Sequence, residues 1–384
     1  MINDGVKILI HTDRLRHNAR CLKARCSGIM PVIKADAYGH GLEETAAILE
    51  SEGTGWFAIG AVDEGVRLRK AGVKANIVAL LGLLQPEDAI LAAEYKIMPL
   101  IHSFAVLKQM ADCGRPADIA IKCNTGMNRL GFTLEDMPKL TETLQSFPFL
   151  RPQIAITHLA CADEEAGDQV TLRQINTFSS CVSSLRTTFP AMKASCLNSP
   201  GLLSWPQYCR KFPELEAAAP FALELTRPGI VLYGENPLAG TDREKLGSDV
   251  LPVMEAQTSV LAVYTLQQGD SVSYGHTYTA HSPRRVAIIA AGYAEGFSRA
   301  LSNKGFVCLK GGRAPIIGRV CMQMSLIDVT EQPDTAPGDT VWILGGPDTS
   351  AVQPITAREM AGWAGTISYE ILCSLGRNRR IFLP

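Results

Sequence analysis

Pro31-Val32-Ile33-Lys34-Ala35-Asp36-Ala37-Tyr38-Gly39-His40-Gly41 is the stretch around which the chain is organised. Apolar residues of strand character run straight into Lys34, and a small, polar, glycine-punctuated turn comes next, so the spacing predicts an amine where a buried strand ends. Burial disfavours the charged form of a lysine, and the neutral amine is the form that attacks a carbonyl. Lys34 is therefore a Schiff-base candidate. Taken alone, a lysine at a strand end is more often one that snorkels to water.

On both sides of this stretch, short apolar runs alternate with segments of helical period from about residue 6 to residue 235. The strand-like runs are Lys7 to His11, Ile29 to Ile33, Trp56 to Ile59, Asn76 to Leu80, Lys96 to Ile101, Asp118 to Lys122, Gln153 to Thr157, Lys193 to Leu197 and Ala222 to Leu225. Amphipathic stretches such as Leu42 to Glu50, Ala61 to Lys70 and Asp168 to Thr187 lie between them. This alternation implies a parallel sheet covered by helices. A doubly wound open sheet shares the pattern, but about eight units in this length fit a closed (β/α)8 barrel better. Function in a barrel sits at the carboxyl ends of the strands, where Lys34, Lys122, His158 and Asn198 fall.

Near Arg227 the pattern changes. Residues 236–249, rich in Gly, Asp and Lys, read as a linker, and beyond them alternating strands with turns dominate. The expected architecture is a barrel domain over residues 1–240 followed by a mostly β domain over 241–384.

Bulk properties exclude several function classes. With 37 basic and 38 acidic residues the net charge is -1, which gives no electrostatic reason to expect nucleic acid or an anionic membrane as partner. The first residues lack the basic region and long apolar run of a secretory signal, and no segment has the length of a membrane span, so the expected compartment is the cytoplasm. The 11 cysteines are scattered singly, without Cys-x-x-Cys, and suggest neither a disulfide framework nor a metal site.

Several blocks, taken in order, are specific. Val32 to Gly41 resembles the pyridoxal-phosphate attachment motif of alanine racemases. Asn124 to Gly131, Thr157-His158-Leu159-Ala160, Asn198-Ser199, Arg227-Pro228-Gly229-Ile230, Ser273-Tyr274-Gly275, Ala291 to Gly296, Gly318 to Met322 and Ile367-Ser368-Tyr369-Glu370 come after it in that family's order. One lysine motif is weak; nine ordered blocks over nearly the whole chain are strong.

The resemblance implies interconversion of L-alanine and D-alanine, supplying D-alanine for peptidoglycan, by a homodimer whose sites draw on both subunits. It implies pyridoxal 5'-phosphate held by Lys34, and two bases on opposite faces of the substrate, Lys34 and the partner subunit's Tyr274. Racemisation fits such an arrangement, because Cα is too weak an acid without an electron sink, and inversion needs a proton removed on one face and delivered on the other. A tyrosine acts as a base only with help, and His158 and Arg227 are, by resemblance, the network behind it. Arg227 would also face the pyridine nitrogen. Asn198, Ser199, Gly229, Ile230, Tyr38 and Tyr369 are implied at the phosphate, Arg129 and the Met322 amide at the substrate carboxylate. Lys122 occupies a position often carbamylated in the family, and Asp163, Tyr293, Arg299 and Arg319 match the corridor leading to the site.

There are departures. Gln323 stands where the family usually has an aspartate, and Asn124 likewise replaces a common aspartate. A racemase with altered preference, for example for serine, is the alternative within the family, although serine racemases of this fold usually carry a membrane region that is absent here. A barrel-type decarboxylase would need a glycine-rich phosphate loop, which is also absent. A single-domain cofactor-binding protein would lack the β domain that carries Tyr274.

Overall fold

The structure, a computed structural model, describes residues 5–384 except 348 and 350. Its described residues form two compact units. One comprises 15–37 and 42–251, the other 5–14, 38–41 and 252–384.

In the first unit the strands Trp56–Ile59, Asn76–Ala79, Ile97–Ile101, Ala117–Lys122, Leu150–Ile156 and Lys193–Ser195 pair in sequence order, all parallel. Two further segments close the ring. Val32 bridges Ala58 at one edge, Asn198 bridges Arg227 at the other, and Ile29 bridges Thr226, all in parallel. Backbone hydrogen bonds from Ile33 to Ala58 (2.8 Å), Met30 to Thr226 (2.7 Å) and Arg227 to Leu197 (2.8 Å) accompany the bridges. The result is the expected β/α barrel of eight parallel segments.

The apolar runs of these strands are buried, with Ile33, Phe57, Ile77, Ile119, Ile154 and Ala194 all fully so. Helices cover the outside because their apolar residues recur on one face. In Phe104–Asp112, Val106, Leu107, Met110 and Ala111 face inward, and the Ser103 hydroxyl caps the start by accepting from the Val106 amide.

The second unit is mostly β, as expected. The long strand Met254–Leu266 pairs antiparallel with Arg284–Ile289 and with Thr340–Leu344, and Phe306–Leu309, Gly312–Ile317 and Ser325–Asp328 complete a ring between those two. The helix Ser368–Leu375 and the strand Arg379–Leu383 also belong to this unit.

Two features differ from the sequence reading. The strand Lys7–His11 is not a barrel strand: it pairs parallel with Arg379–Leu383 and antiparallel with Met254–Leu266. An alternating apolar run looks alike in either setting, and only its partners decide where it belongs. The stretch 236–249 is not a free linker either. Arg243, 2% exposed, donates to the Asp168 carboxylate at 2.5 Å and to the Tyr208 hydroxyl at 3.2 Å. The stretch is thereby docked on the barrel unit, which runs on to Leu251 rather than ending at 240.

Because Ile10 is fully buried in the Lys7–His11 strand, Ile10→Ala is expected to destabilise the β unit by roughly 2–4 kcal/mol. Hydrogen exchange should then accelerate in Met254–Leu266 and Arg379–Leu383 and stay unchanged in the barrel strands; the reverse pattern would return the strand to the barrel.

Candidate active site

Lys34 lies at the carboxyl end of the Ile29 to Ile33 segment, on the rim where its place in the sequence put it, but it is exposed rather than buried. The next four residues have an unusual backbone. Ala35, Asp36, Ala37 and Tyr38 have φ of 53°, 56°, 54° and 55°, a full left-handed turn without a glycine. Each such residue costs about 1–2 kcal/mol, so neighbouring groups must hold the turn. Asp36 accepts from the Leu42 amide (3.0 Å) and lies 3.5 Å from the Arg67 guanidinium. The Glu64 carboxylate accepts from the amides of Ala35 (2.8 Å) and Gly60 (2.6 Å). In the sequence the stretch reads as an ordinary turn, and nothing in it marks the left-handed conformation or singles out Glu64.

Around the same rim stand Lys122, His158, Asn198 and Arg227. Arg227 is 3% exposed. Its guanidinium donates to the carbonyls of Ser195 (2.7 Å), Cys196 (3.4 Å) and Thr157, and to the Ser195 hydroxyl (2.5 Å). No carboxylate accepts from it among the described residues. Burial lowers its pKa to about 10, and it is still a cation at neutral pH.

That charge acts on its neighbours. Burial, followed by Arg227 and Arg129, holds the Lys122 amine down to about 7; the amine donates to the Cys123 carbonyl at 3.1 Å. Burial and the cations of Arg227, Lys122, Arg129 and Lys34 push His158 to about 3, so its ring is neutral at physiological pH. Lys34, Lys122, Arg129, His158 and Arg227 therefore share one electrostatic environment.

Further hydrogen bonds shape these strand ends. The Thr125 and Thr157 hydroxyls share a hydrogen bond of 2.7 Å, and Gln174 donates to the His158 carbonyl (3.0 Å) while accepting from the Ala160 amide (2.9 Å). Asn124 accepts from the amides of Gly126 (3.2 Å) and Asn128 (3.1 Å), folding the loop that leads to Arg129. Asx turns of this kind are not visible as a pattern without their backbone.

Asn198 caps the helix Ser199–Lys211, accepting from the Gly201 amide at 3.2 Å, and the buried Ser199 hydroxyl accepts from the Gly229 amide at 2.9 Å. Ile230 begins a short buried 3-10 turn beside it. A helix start with a hydroxyl that keeps its own proton to donate is chemically suited to a phosphate, and an exposed amine on the same rim is suited to an aldehyde. The donor set therefore fits a phosphorylated aldehyde cofactor. Asp163 is exposed, and no hydrogen bond or ion pair among the described residues joins it to this group.

The remaining predicted residues belong to the β unit. Tyr38 is buried, and burial raises the pKa of its hydroxyl; its ring lies 5.9 Å from that of Tyr369. Tyr274 is 69% exposed. The preceding residue, Ser273, donates its hydroxyl to the Arg319 carbonyl at 2.6 Å, and Gly275 leaves room for the Arg319 guanidinium, which a Cβ there would meet at 2.8 Å. The Tyr293 and Ala294 amides donate to the carbonyls of Cys321 (3.1 Å) and Met322 (2.8 Å). Met322 itself is 58% exposed. Arg299 opens the short turn Arg299–Leu301, and the next residue, Ser302, accepts from the Val320 amide at 3.0 Å. Tyr274, Tyr293, Arg299, Arg319 and Met322 thus lie on connected segments.

Gln323 has a definite role there. It donates to one oxygen of the buried Glu295 carboxylate at 3.2 Å, and the Gly292 amide donates to the other at 2.9 Å. Gln323→Asp would set a second carboxylate against the first, so one of the two must hold a proton or repel. The folded-state pKa of that group rises, and stability is therefore retained at low pH and lost as pH climbs through the raised value. Thermal melts are expected to show a loss of about 1–2 kcal/mol at pH 8, and little at pH 4.5; an equal loss at both pH values would refute the repulsion.

Comparison with known proteins agrees with this geometry. The family description "Alanine racemase, N-terminal domain" matches residues 10–237, and "Alanine racemase, C-terminal domain" matches residues 253–382. An alanine racemase of Nitratidesulfovibrio vulgaris is 45% identical over 376 residues, 97% of this chain and 96% of that protein. Among solved structures, an alanine racemase from D-cycloserine-producing Streptomyces lavendulae superposes with a TM-score of 0.87 at 29% identity, covering 100% of this chain and 98% of the other. An alanine racemase from Bartonella henselae with covalently bound pyridoxal phosphate gives 0.82 at 26% identity, covering 99% and 100%. The barrel whose rim carries Lys34 and the β unit that carries Tyr274 are thus both accounted for, and the chain belongs to the alanine racemase family.

Proposed function

We propose that this chain interconverts L-alanine and D-alanine with pyridoxal 5'-phosphate, as a homodimer in which Lys34 of one subunit and Tyr274 of the partner subunit are the two bases. The observation that carries the reading is the convergence on one barrel rim of an exposed amine, a buried guanidinium without a carboxylate, and a hydroxyl at a helix start. When bound, the cofactor supplies an electron-accepting ring conjugated to the substrate Cα, which makes that proton removable.

The chain does the rest. Lys34 would hold the aldehyde, and its amine, when free, would hold or take the Cα proton on one face. The Tyr274 hydroxyl serves the opposite face, and its 69% exposure within a single chain suits a residue that acts on a partner. Arg227, locked by carbonyls, would offer a permanent cation to the ring nitrogen of a bound cofactor; that charge would disfavour protonating the ring and leave the proton transfers to the two bases. His158, neutral in this environment, passes a hydrogen bond rather than a charge. Asn198, Ser199, Gly229, Ile230, Tyr38 and Tyr369 would hold the phosphate.

Arg129 and the Met322 amide of the partner subunit bind the substrate carboxylate. Lys122, a buried amine held near neutrality between two arginines, is suited to carry a carbamate, whose negative charge would then pair with Arg129. Asp163, Tyr293, Arg299 and Arg319 line the approach. In the cell we assign this activity to the cytoplasm, as the supply of D-alanine for peptidoglycan.

Each alanine enantiomer in heavy water tests the two bases separately. Tyr274→Phe is expected to lower inversion from L-alanine by about a hundredfold or more; inversion at the wild-type rate would remove Tyr274 from the reaction. Borohydride treatment of the holoenzyme should fix the cofactor to a peptide containing Lys34, and label elsewhere would displace the anchor.

A further inference from the structure

We infer that Glu64 is a positioning residue for Lys34, its carboxylate clamping the left-handed turn that directs the amine; the inference rests on Lys34 being the cofactor's anchor. The Lys34 side chain leaves the backbone at the point where the chain turns from strand to left-handed helix, so its direction is set by how that turn is held. Ala35 and Ala37 have no side-chain polar groups with which to hold it. Asp36 secures the far side through the Leu42 amide, and Glu64 secures the near side through the Ala35 amide.

The carboxylate is diverted from a simpler task. Glu64 is the third residue of the helix Val62–Lys70, whose N-cap Ala61 has no side-chain hydrogen bond. A glutamate at that position ordinarily reaches back to the N-cap amide. Glu64 instead reaches one residue further, to Gly60 at 2.6 Å, and across to Ala35 at 2.8 Å. One side chain thus ties the end of Trp56–Ile59 to the end of the neighbouring segment that Val32 joins to it. The fit is close: a Cβ on Gly60 would lie 3.0 Å from the Glu64 carboxylate and 3.6 Å from Lys34 Cβ. Helix capping alone would not need the contact with Ala35.

The test uses the holoenzyme and the variants Glu64→Ala and Glu64→Gln, with Lys108→Ala, which loses an exposed pair with Asp112, as control. Glu64→Ala is expected to keep its cofactor on Lys34, shown by borohydride peptide mapping, but to lower kcat about tenfold with KM changed less than about threefold. The visible circular dichroism of the cofactor, which reports ring orientation, should change with it. Glu64→Gln keeps one acceptor oxygen and should recover part of both. Should Glu64→Ala fail to fold, Glu64→Gln carries the test, with reduced kcat and altered dichroism expected in a folded protein that still carries the label on Lys34. Wild-type kcat and dichroism in a folded Glu64 variant labelled on Lys34 would overturn the clamp alone. Absence of label on Lys34 in the wild type would overturn the anchor and the clamp together.

Discussion

A guanidinium buried without a carboxylate is an expensive arrangement, and Arg227 is in it. Its acceptors are the carbonyls and hydroxyl of Thr157, Ser195 and Cys196, so one side chain ties its own segment to the two strands before it. Those carbonyls are available because the ring is closed and the strand ends converge. The charge has consequences beyond the contacts: it helps to hold Lys122 near neutrality and His158 uncharged. The electrostatics of the rim therefore depend on Arg227 more than on any other side chain there.

Much of this was legible in the sequence. Period-two and period-3.6 patterns are local; they separated the barrel from the β unit and placed Lys34, Lys122, His158 and Asn198 at strand ends. What failed was whatever depends on partners distant in the chain. Lys7–His11 has the pattern of a strand but not a label for its sheet, and Arg243 looks like a linker residue until Asp168 is seen beside it. Positive φ at Ala35 and Ala37 has no sequence signature at all, because alanine ordinarily avoids that region.

The proposed site residues divide by unit. The barrel unit carries the amine, the guanidinium and the phosphate-suited helix start, while the β unit carries Tyr274, Tyr293, Arg299, Arg319 and Met322. Gln323 belongs to the second set, and its bond to Glu295 gives the replaced aspartate a physical reading: the amide donates where a carboxylate would repel. Glu64 belongs to the first, and the strained turn it holds is the local feature most specific to Lys34.

Mixing lesions distinguishes a site with bases from two subunits from one built within a single chain. A purified heterodimer of one Lys34→Ala subunit and one Tyr274→Phe subunit would, if sites are shared, have one site lacking both bases and one site intact. About half of wild-type racemase activity is then expected, although both mutant homodimers are nearly inactive. Activity no higher than that of the mutant homodimers would show that both bases come from the same chain, and would contradict the shared site.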